Sequence, residues 1–172
     1  MKNLVLVGFM GSGKTTAGKL AAQRLGMKFV DMDDLIEQRH GKTISKIFET
    51  QGEAFFRRHE RDLVRALAAE EGKVIATGGG VVLDPNNLRD FSRTSVVICC
   101  WVDAAAAHER TKHAKHRPLL EADTDRLTRL KALLQEREFL YKSVPNQVDS
   151  STLTIEQQVD AIVSLYQQQT RG

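Results

Sequence analysis

Gly8-Phe9-Met10-Gly11-Ser12-Gly13-Lys14-Thr15 is the stretch that decides how this 172-residue chain folds. It fits the phosphate-binding pattern G-x-x-x-x-G-K-[ST], and its surroundings fit too. The apolar run Leu4-Val5-Leu6-Val7 precedes it, and a helical pattern opens at Lys14. Glycines let successive backbone N–H groups wrap around phosphate oxygens, and a helix N-terminus adds favourable partial charge. Lys14 then reaches the β- and γ-phosphates, and the Thr15 hydroxyl serves a Mg2+ ion. Gly11, Ser12, Gly13, Lys14, Thr15 and Thr16 are therefore the expected triphosphate-binding residues.

Outward from this loop, short β-branched runs alternate with longer helical stretches, which is the signature of parallel βαβ units. Strands are expected at Asn3–Val7, Lys28–Asp31, Lys73–Ala76 and Ser95–Val102, with a weaker one at Asn146–Asp149. Helices are expected over Lys14–Leu25 (closed by Gly26), Ile44–Glu71 (hinged at Gly52), Asp103–Thr111, Asp123–Lys142 and Ile155–Gln169. Asp84-Pro85 is a helix start, with a capping acid before a proline at the first helical position. No repeat, low-complexity tract or linker divides residues 1–172. The pattern describes one doubly wound α/β domain.

Composition narrows the functional classes. The 25 Lys+Arg exceed the 22 Asp+Glu by a formal charge of only +3, which suits small anionic ligands but gives no basic face for nucleic acid. No apolar run approaches the 18 or so residues of a membrane span. Cys99 and Cys100 are neighbours on a strand, point to opposite faces, and cannot readily bridge each other. They read as core residues in a reducing compartment, so a cytoplasmic location is expected.

A metal-bound triphosphate also calls for a carboxylate at the end of a neighbouring strand. Phe29-Val30-Asp31-Met32-Asp33 offers two. If the chain stays extended there, both acids point the same way, one toward metal and the other toward a substrate hydroxyl. The alternative is that they only cap the next helix. Asp103 is a rival metal carboxylate, although Ala104-Ala105-Ala106 behind it makes it a good N-cap. Lys73-Val74-Ile75-Ala76-Thr77 runs into Gly78-Gly79-Gly80, more glycines than a turn needs, so bare backbone against a ligand is expected. Arg137 falls on the inward stripe Leu127, Leu130, Leu134, Tyr141 and must be paired, to a structural acid or to a ligand anion. Arg57 and Arg58 are indistinguishable by periodicity, and Glu53 and Glu60 offer Arg57 local ion pairs. The stretch Arg110–Pro118 carries four Lys/Arg and no acid. It is either a solvated basic loop or a mobile lid over phosphates.

These residues together resemble a shikimate kinase along nearly the whole chain. The resemblance rests on Gly8–Thr15, Asp31-Met-Asp33, Gly52-Glu53 with Phe56-Arg57-Arg58-x-Glu60, Gly78–Gly80, Arg117-Pro118-Leu119-Leu120 and Arg137-x-x-x-Tyr141. It implies a single-domain three-layer α/β/α kinase of the nucleoside monophosphate kinase type, with a five-stranded parallel sheet. A mobile lid would lie at about 111–123 and a substrate-binding helical region at about 33–61. The implied reaction moves the γ-phosphoryl of ATP, with Mg2+, to the 3-hydroxyl of shikimate in aromatic amino-acid biosynthesis. By the same resemblance Asp33 binds the substrate hydroxyls, Arg57 and Arg137 hold its carboxylate, and Gly78, Gly79 and Gly80 line the site. Arg117 meets the phosphates, Arg110 lies against adenine, and Asp31 with Thr15 serves Mg2+. Lys14, Asp33 and Arg117 would be the catalytic groups of a cytoplasmic monomer whose partners are small molecules, not nucleic acid or membrane. The alternatives are a kinase of another small hydroxy acid such as gluconate, or a nucleotide switch that transfers nothing.

Overall fold

The computed structural model describes residues 1–112 and 125–171. Five parallel strands, β1 (Asn3–Val7), β2 (Lys28–Asp31), β3 (Lys73–Ala76), β4 (Ser95–Trp101) and β5 (Asn146–Asp149), form one sheet in the order β2-β3-β1-β4-β5. β1 is flanked on both sides, pairing Leu6 with Ala76 of β3 and with Ile98 of β4. All five of its residues are buried, as a central parallel strand covered on both faces requires.

Side chains alternate across the sheet between two cores. Val5, Val7, Val97 and Cys99 join one, and Leu4, Leu6, Val96, Ile98 and Cys100 join the other. The two cysteines are thus buried on opposite faces with free thiols, and burial pushes them up to about 12 and about 11. On the Cys100 face pack α1 (Lys14–Leu25) and α8 (Ile155–Thr170). On the Cys99 face pack α2 (Met32–His40), α3 (Ile44–Gln51), α4 (Glu53–Ala68), α5 (Pro85–Thr94), α6 (Ala104–Thr111) and α7 (Arg126–Lys142). The architecture is the expected three-layer α/β/α sandwich.

Local chemistry sets the helix starts. Asp84, Asp103, Asp125 and Thr154 each accept a backbone N–H from the first turn of α5, α6, α7 and α8, and Thr154 forms a full capping box with Gln157. Each such cap is worth about 1 kcal/mol. Asp103 accepts the Ala106 N–H at 2.7 Å, which is the capping role weighed for it above.

Several boundaries differ from the sequence expectation; α4, for one, ends at Ala68 and not at Glu71. β4 ends at Trp101, one residue early, and that ring is half-buried against the core, with the Lys142 ammonium 4.8 Å from its centroid. α7 begins at Arg126, because Asp125 caps it; the expected first residues, 123 and 124, lie outside the described residues. The chain also does not stay extended after Asp31: helix α2 opens directly at Met32. Most of the expected lid, with Arg117, likewise falls outside the described residues.

The carboxyl ends of β1, β2 and β3 bring the phosphate loop, Asp31 and Thr77 to one edge, where open α/β sheets bind ligands.

Candidate active site

A cleft of about 740 Å³ opens at that edge, lined among others by Lys14, Thr15, Asp31, Asp33, Gly79 and Arg110. Gly13, at φ 84°, turns the chain into α1, a conformation that strongly favours glycine there. The Lys14 ammonium, 9% exposed, lies under the loop and donates to the carbonyls of Gly8 (2.7 Å) and Phe9 (3.1 Å) and to the Ser12 hydroxyl (3.3 Å). Each of these acceptors is neutral. A buried ammonium gains more from an anion than from carbonyl dipoles. Thr16 lines the same cleft.

Asp31 and Asp33 divide their work, although not by the shared strand face expected of them. Because α2 opens at Met32, Asp31 is the N-cap: its Oδ1 accepts the Asp33 N–H at 2.9 Å and the Asp34 N–H at 3.3 Å. Its Oδ2 accepts the Thr15 hydroxyl at 2.8 Å. One carboxylate therefore caps a helix and joins the phosphate loop. Asp33 sits in the first turn of α2 and reaches the opposite wall. A Cβ added to Gly78 would stand 2.9 Å from its Oδ1 and 3.3 Å from Glu60 Oε2.

The triple glycine has a steric reason. A side chain at Gly80 would overlap the Arg57 guanidinium, so Arg57 packs directly on bare backbone. The structure thereby separates Arg57 from Arg58: Arg58 is exposed and lies over the Phe55 ring. Arg57 also makes both local ion pairs, to Glu60 at 2.9 Å and Glu53 at 3.3 Å. Gly79 is held by its carbonyl, which accepts the Tyr141 hydroxyl at 2.5 Å. Tyr141 is fully buried and its hydroxyl is pushed up to about 12 by that burial, against the opposing charge of the neighbouring Arg137. Arg137 is 5% exposed, as its place on the apolar stripe implied.

Glu60 ties these groups together and was missed at the level of sequence, where it counted only as a neighbour of Arg57. It is 1% exposed and faces Arg57, Arg137 and Asp33. The missed signal was an acid on the apolar stripe Phe56, Leu63, Val64, Leu67 of α4. Burial raises its pKa first, the Asp33 charge adds to the rise, and Arg57 and Arg137 oppose it. A carboxyl whose folded pKa exceeds its unfolded one contributes stability that is full at low pH and is lost as pH rises through the folded pKa. From about pH 4 upward, the urea midpoint of wild type is therefore expected to fall relative to Glu60→Gln. Parallel midpoints across that range would mean that Glu60 titrates as it does unfolded.

The residues expected for nucleotide and those expected for an acid substrate thus lie near one another, with Asp33 and the glycine triple between them. Arg110 borders the cleft at the phosphate loop, where its guanidinium donates to Gly11 O at 3.1 Å and to the Ser150 hydroxyl at 3.1 Å. Among the described residues no group of three His, Cys, Asp or Glu gathers as a metal cluster, and no helix is long and apolar enough to cross a membrane.

Known proteins with this arrangement agree in one direction. A gluconokinase from Sinorhizobium meliloti 1021 superimposes over 99% of this chain and 94% of its own with a TM-score of 0.60, but at 15% identity that likeness is one of fold alone. The shikimate kinase from Acinetobacter baumannii, solved in complex with shikimate, superimposes with a TM-score of 0.93 at 32% identity, covering 100% of this chain and 96% of that one. A shikimate kinase of Thermodesulfovibrio yellowstonii is 40% identical over 172 residues, spanning 100% of this chain and 99% of the other. The family profile described as Shikimate kinase matches residues 10–167, from inside the phosphate loop to the last turns of α8, and the chain belongs to the shikimate kinase family.

Proposed function

We propose that this shikimate kinase divides its cleft as follows: ATP over Gly11–Thr16, and shikimate between Asp33, Arg57, Arg137 and Gly78–Gly80. The observation that carries this reading is the packing around the glycine triple. Arg57 and the Asp33 carboxylate meet bare backbone there, and Arg137 lies near Tyr141 and Glu60 beside them, matching a small acid that carries hydroxyls. Arg57 and Arg137 supply fixed, planar donors for a carboxylate, and Asp33 supplies an acceptor for hydroxyl protons.

Thr15 and Asp31 offer hard oxygen donors 2.8 Å apart at the mouth of the phosphate loop, a donor set that fits Mg2+. Mg2+ binds through few protein groups and keeps waters and phosphate oxygens as its other ligands, so no dense acidic cluster is required. Bound there, the ion would neutralise charge on the β- and γ-phosphates. Lys14 neutralises the remainder once phosphate replaces its carbonyl partners. Asp33 orients the 3-hydroxyl of shikimate in line with the γ-phosphorus and takes its proton as attack proceeds. Arg110 and the neighbouring Leu153 and Ile155, which border the same cleft, flank the adenine. Arg117, from the expected lid, completes the charge around the transferring group. A single chain supplies all of these groups, so a monomer is the proposed working unit, in the cytoplasm.

The test is ADP release coupled to a reporter, with Arg137→Ala beside wild type. Wild type is expected to turn over ATP with shikimate and not with gluconate or a nucleoside monophosphate. Arg137→Ala loses a charge-assisted bidentate pair, so its apparent affinity for shikimate should drop roughly 10- to 150-fold while that for ATP holds. Equal losses for both ligands would make Arg137 a structural ion pair and return the carboxylate site to question.

A further inference from the structure

The phosphate loop is gripped by side chains more than 130 positions away in sequence, one of which, Gln158, also borders the cleft. The Gln158 amide of α8 donates through Nε2 to the Ser12 carbonyl at 2.7 Å. The Ser150 hydroxyl, just after β5, approaches that carbonyl at 3.2 Å and the Trp101 carbonyl at 2.9 Å. Gln158 is 2% exposed and Ser150 is fully buried. A buried side-chain amide that spends its donor on a main-chain carbonyl fixes that peptide plane firmly, since leaving the carbonyl unsatisfied is costly.

The fixed plane is the Ser12–Gly13 peptide. Peptide units are planar and trans, so the Gly13 N–H points opposite to the Ser12 carbonyl. Holding the carbonyl toward α8 therefore turns the Gly13 N–H away from α8. Gln158 also fits the glycine itself: a Cβ at Gly13 would stand 2.8 Å from Gln158 Oε1. Glycine and glutamine are shaped to each other across the sheet's Cys100 face.

We infer that Gln158, assisted by Ser150, is a positioning residue for phosphate binding, one that orients the Gly13 N–H donor without touching nucleotide phosphate. The inference rests on the nucleotide reading of the loop given above. A residue that merely fills the core would matter equally for every ligand. A residue that aims one loop donor matters for phosphate and not for the rest of the nucleotide or for shikimate.

Calorimetric titration with ADP, pyrophosphate and adenosine, on wild type, Gln158→Met and Gln158→Glu, tests it. Met keeps the length and removes the donor, so ADP and pyrophosphate should each bind about tenfold more weakly. Adenosine affinity and the KM for shikimate should stay within about twofold of wild type. In Gln158→Glu an ionised carboxylate faces the Ser12 carbonyl, and only its protonated form restores a donor. ADP affinity of this variant, relative to wild type at each pH, should therefore recover as the pH is lowered. Unchanged pyrophosphate binding in Gln158→Met overturns the inference, as does an equal loss for adenosine and pyrophosphate, which would make Gln158 a support for the whole nucleotide cleft. If Gln158→Met fails to fold, the pH recovery of Gln158→Glu still decides the matter. Failure of wild type to bind ADP would instead remove the nucleotide reading beneath it.

Discussion

Lys14→Ala is expected to fold as wild type does and to lose at least about 100-fold in turnover, roughly 2.7 kcal/mol of transition-state stabilisation. The lysine donates to two loop carbonyls and the Ser12 hydroxyl, neutral acceptors that water can serve in the variant. Its value lies in the charge it presents to phosphate, which alanine cannot supply. Turnover should fall further than ATP affinity does, since negative charge on the transferring group is redistributed most in the transition state. Single-turnover rates at saturating ATP, measured beside thermal midpoints, check both halves. A folded variant with near-normal turnover would remove the loop from the chemistry.

The second large effect belongs to Asp33. Asparagine preserves its size and one acceptor oxygen while removing charge and basicity. Asp33→Asn is expected to fold, to bind Mg-ATP within a few-fold of wild type, and to lose on the order of 100-fold or more in kcat/KM for shikimate. The geometry makes the comparison with Asp31 informative. Asp31 caps α2 and accepts the Thr15 hydroxyl, so Asp31→Asn should disturb the metal and be partly rescued by added Mg2+. Asp33 faces the glycine wall, and added Mg2+ should leave Asp33→Asn unmoved. If the rescue patterns come out reversed, the two carboxylates have exchanged roles. Full activity in Asp33→Asn would reduce it to a first-turn acid that favours the helix dipole.

The sheet was readable from the linear chain because its signals are local. The central strands are short buried apolar runs, and four of the five expected strands match to the residue. The exception, β4, loses only Val102. The phosphate loop was equally readable, since its motif needs only a strand before it and a helix after it. What failed to read was anything decided at the seam between elements. Asp31 and Asp33 were assigned a shared strand face. Yet Asp31 accepts two N–H groups at once, and this pulls the chain into α2 one residue after the strand ends. Arg57 and Arg58 were inseparable until the glycine wall packed against one of them. Glu60 was visible as an acid on an apolar stripe, but its partner Arg137 lies 77 positions further on, and no local pattern links the two. Gln158 and Ser150 were silent for the same reason. Their significance exists only once α8 lies under the loop.

The remoteness of that backing has a consequence for synthesis. A ribosome releases Gly8–Thr15 early, together with the first strand and helix. It releases Ser150 and Gln158 only after all five strands have been made. Tyr166, whose hydroxyl donates to the Lys2 carbonyl, comes later still and fastens α8 to the very first residues. A growing chain therefore carries a recognisable loop sequence long before it carries a nucleotide site. Through most of translation the nascent chain holds an unbraced loop beside an open sheet edge, where β5 has yet to pair with β4. Cellular ATP has no finished pocket to bind during this interval and gives the growing chain no ligand-derived stability. The same interval leaves β4, the longest and most apolar strand, exposed along one side, which makes the late arrival of β5 and α8 the step most vulnerable to mispairing with another chain.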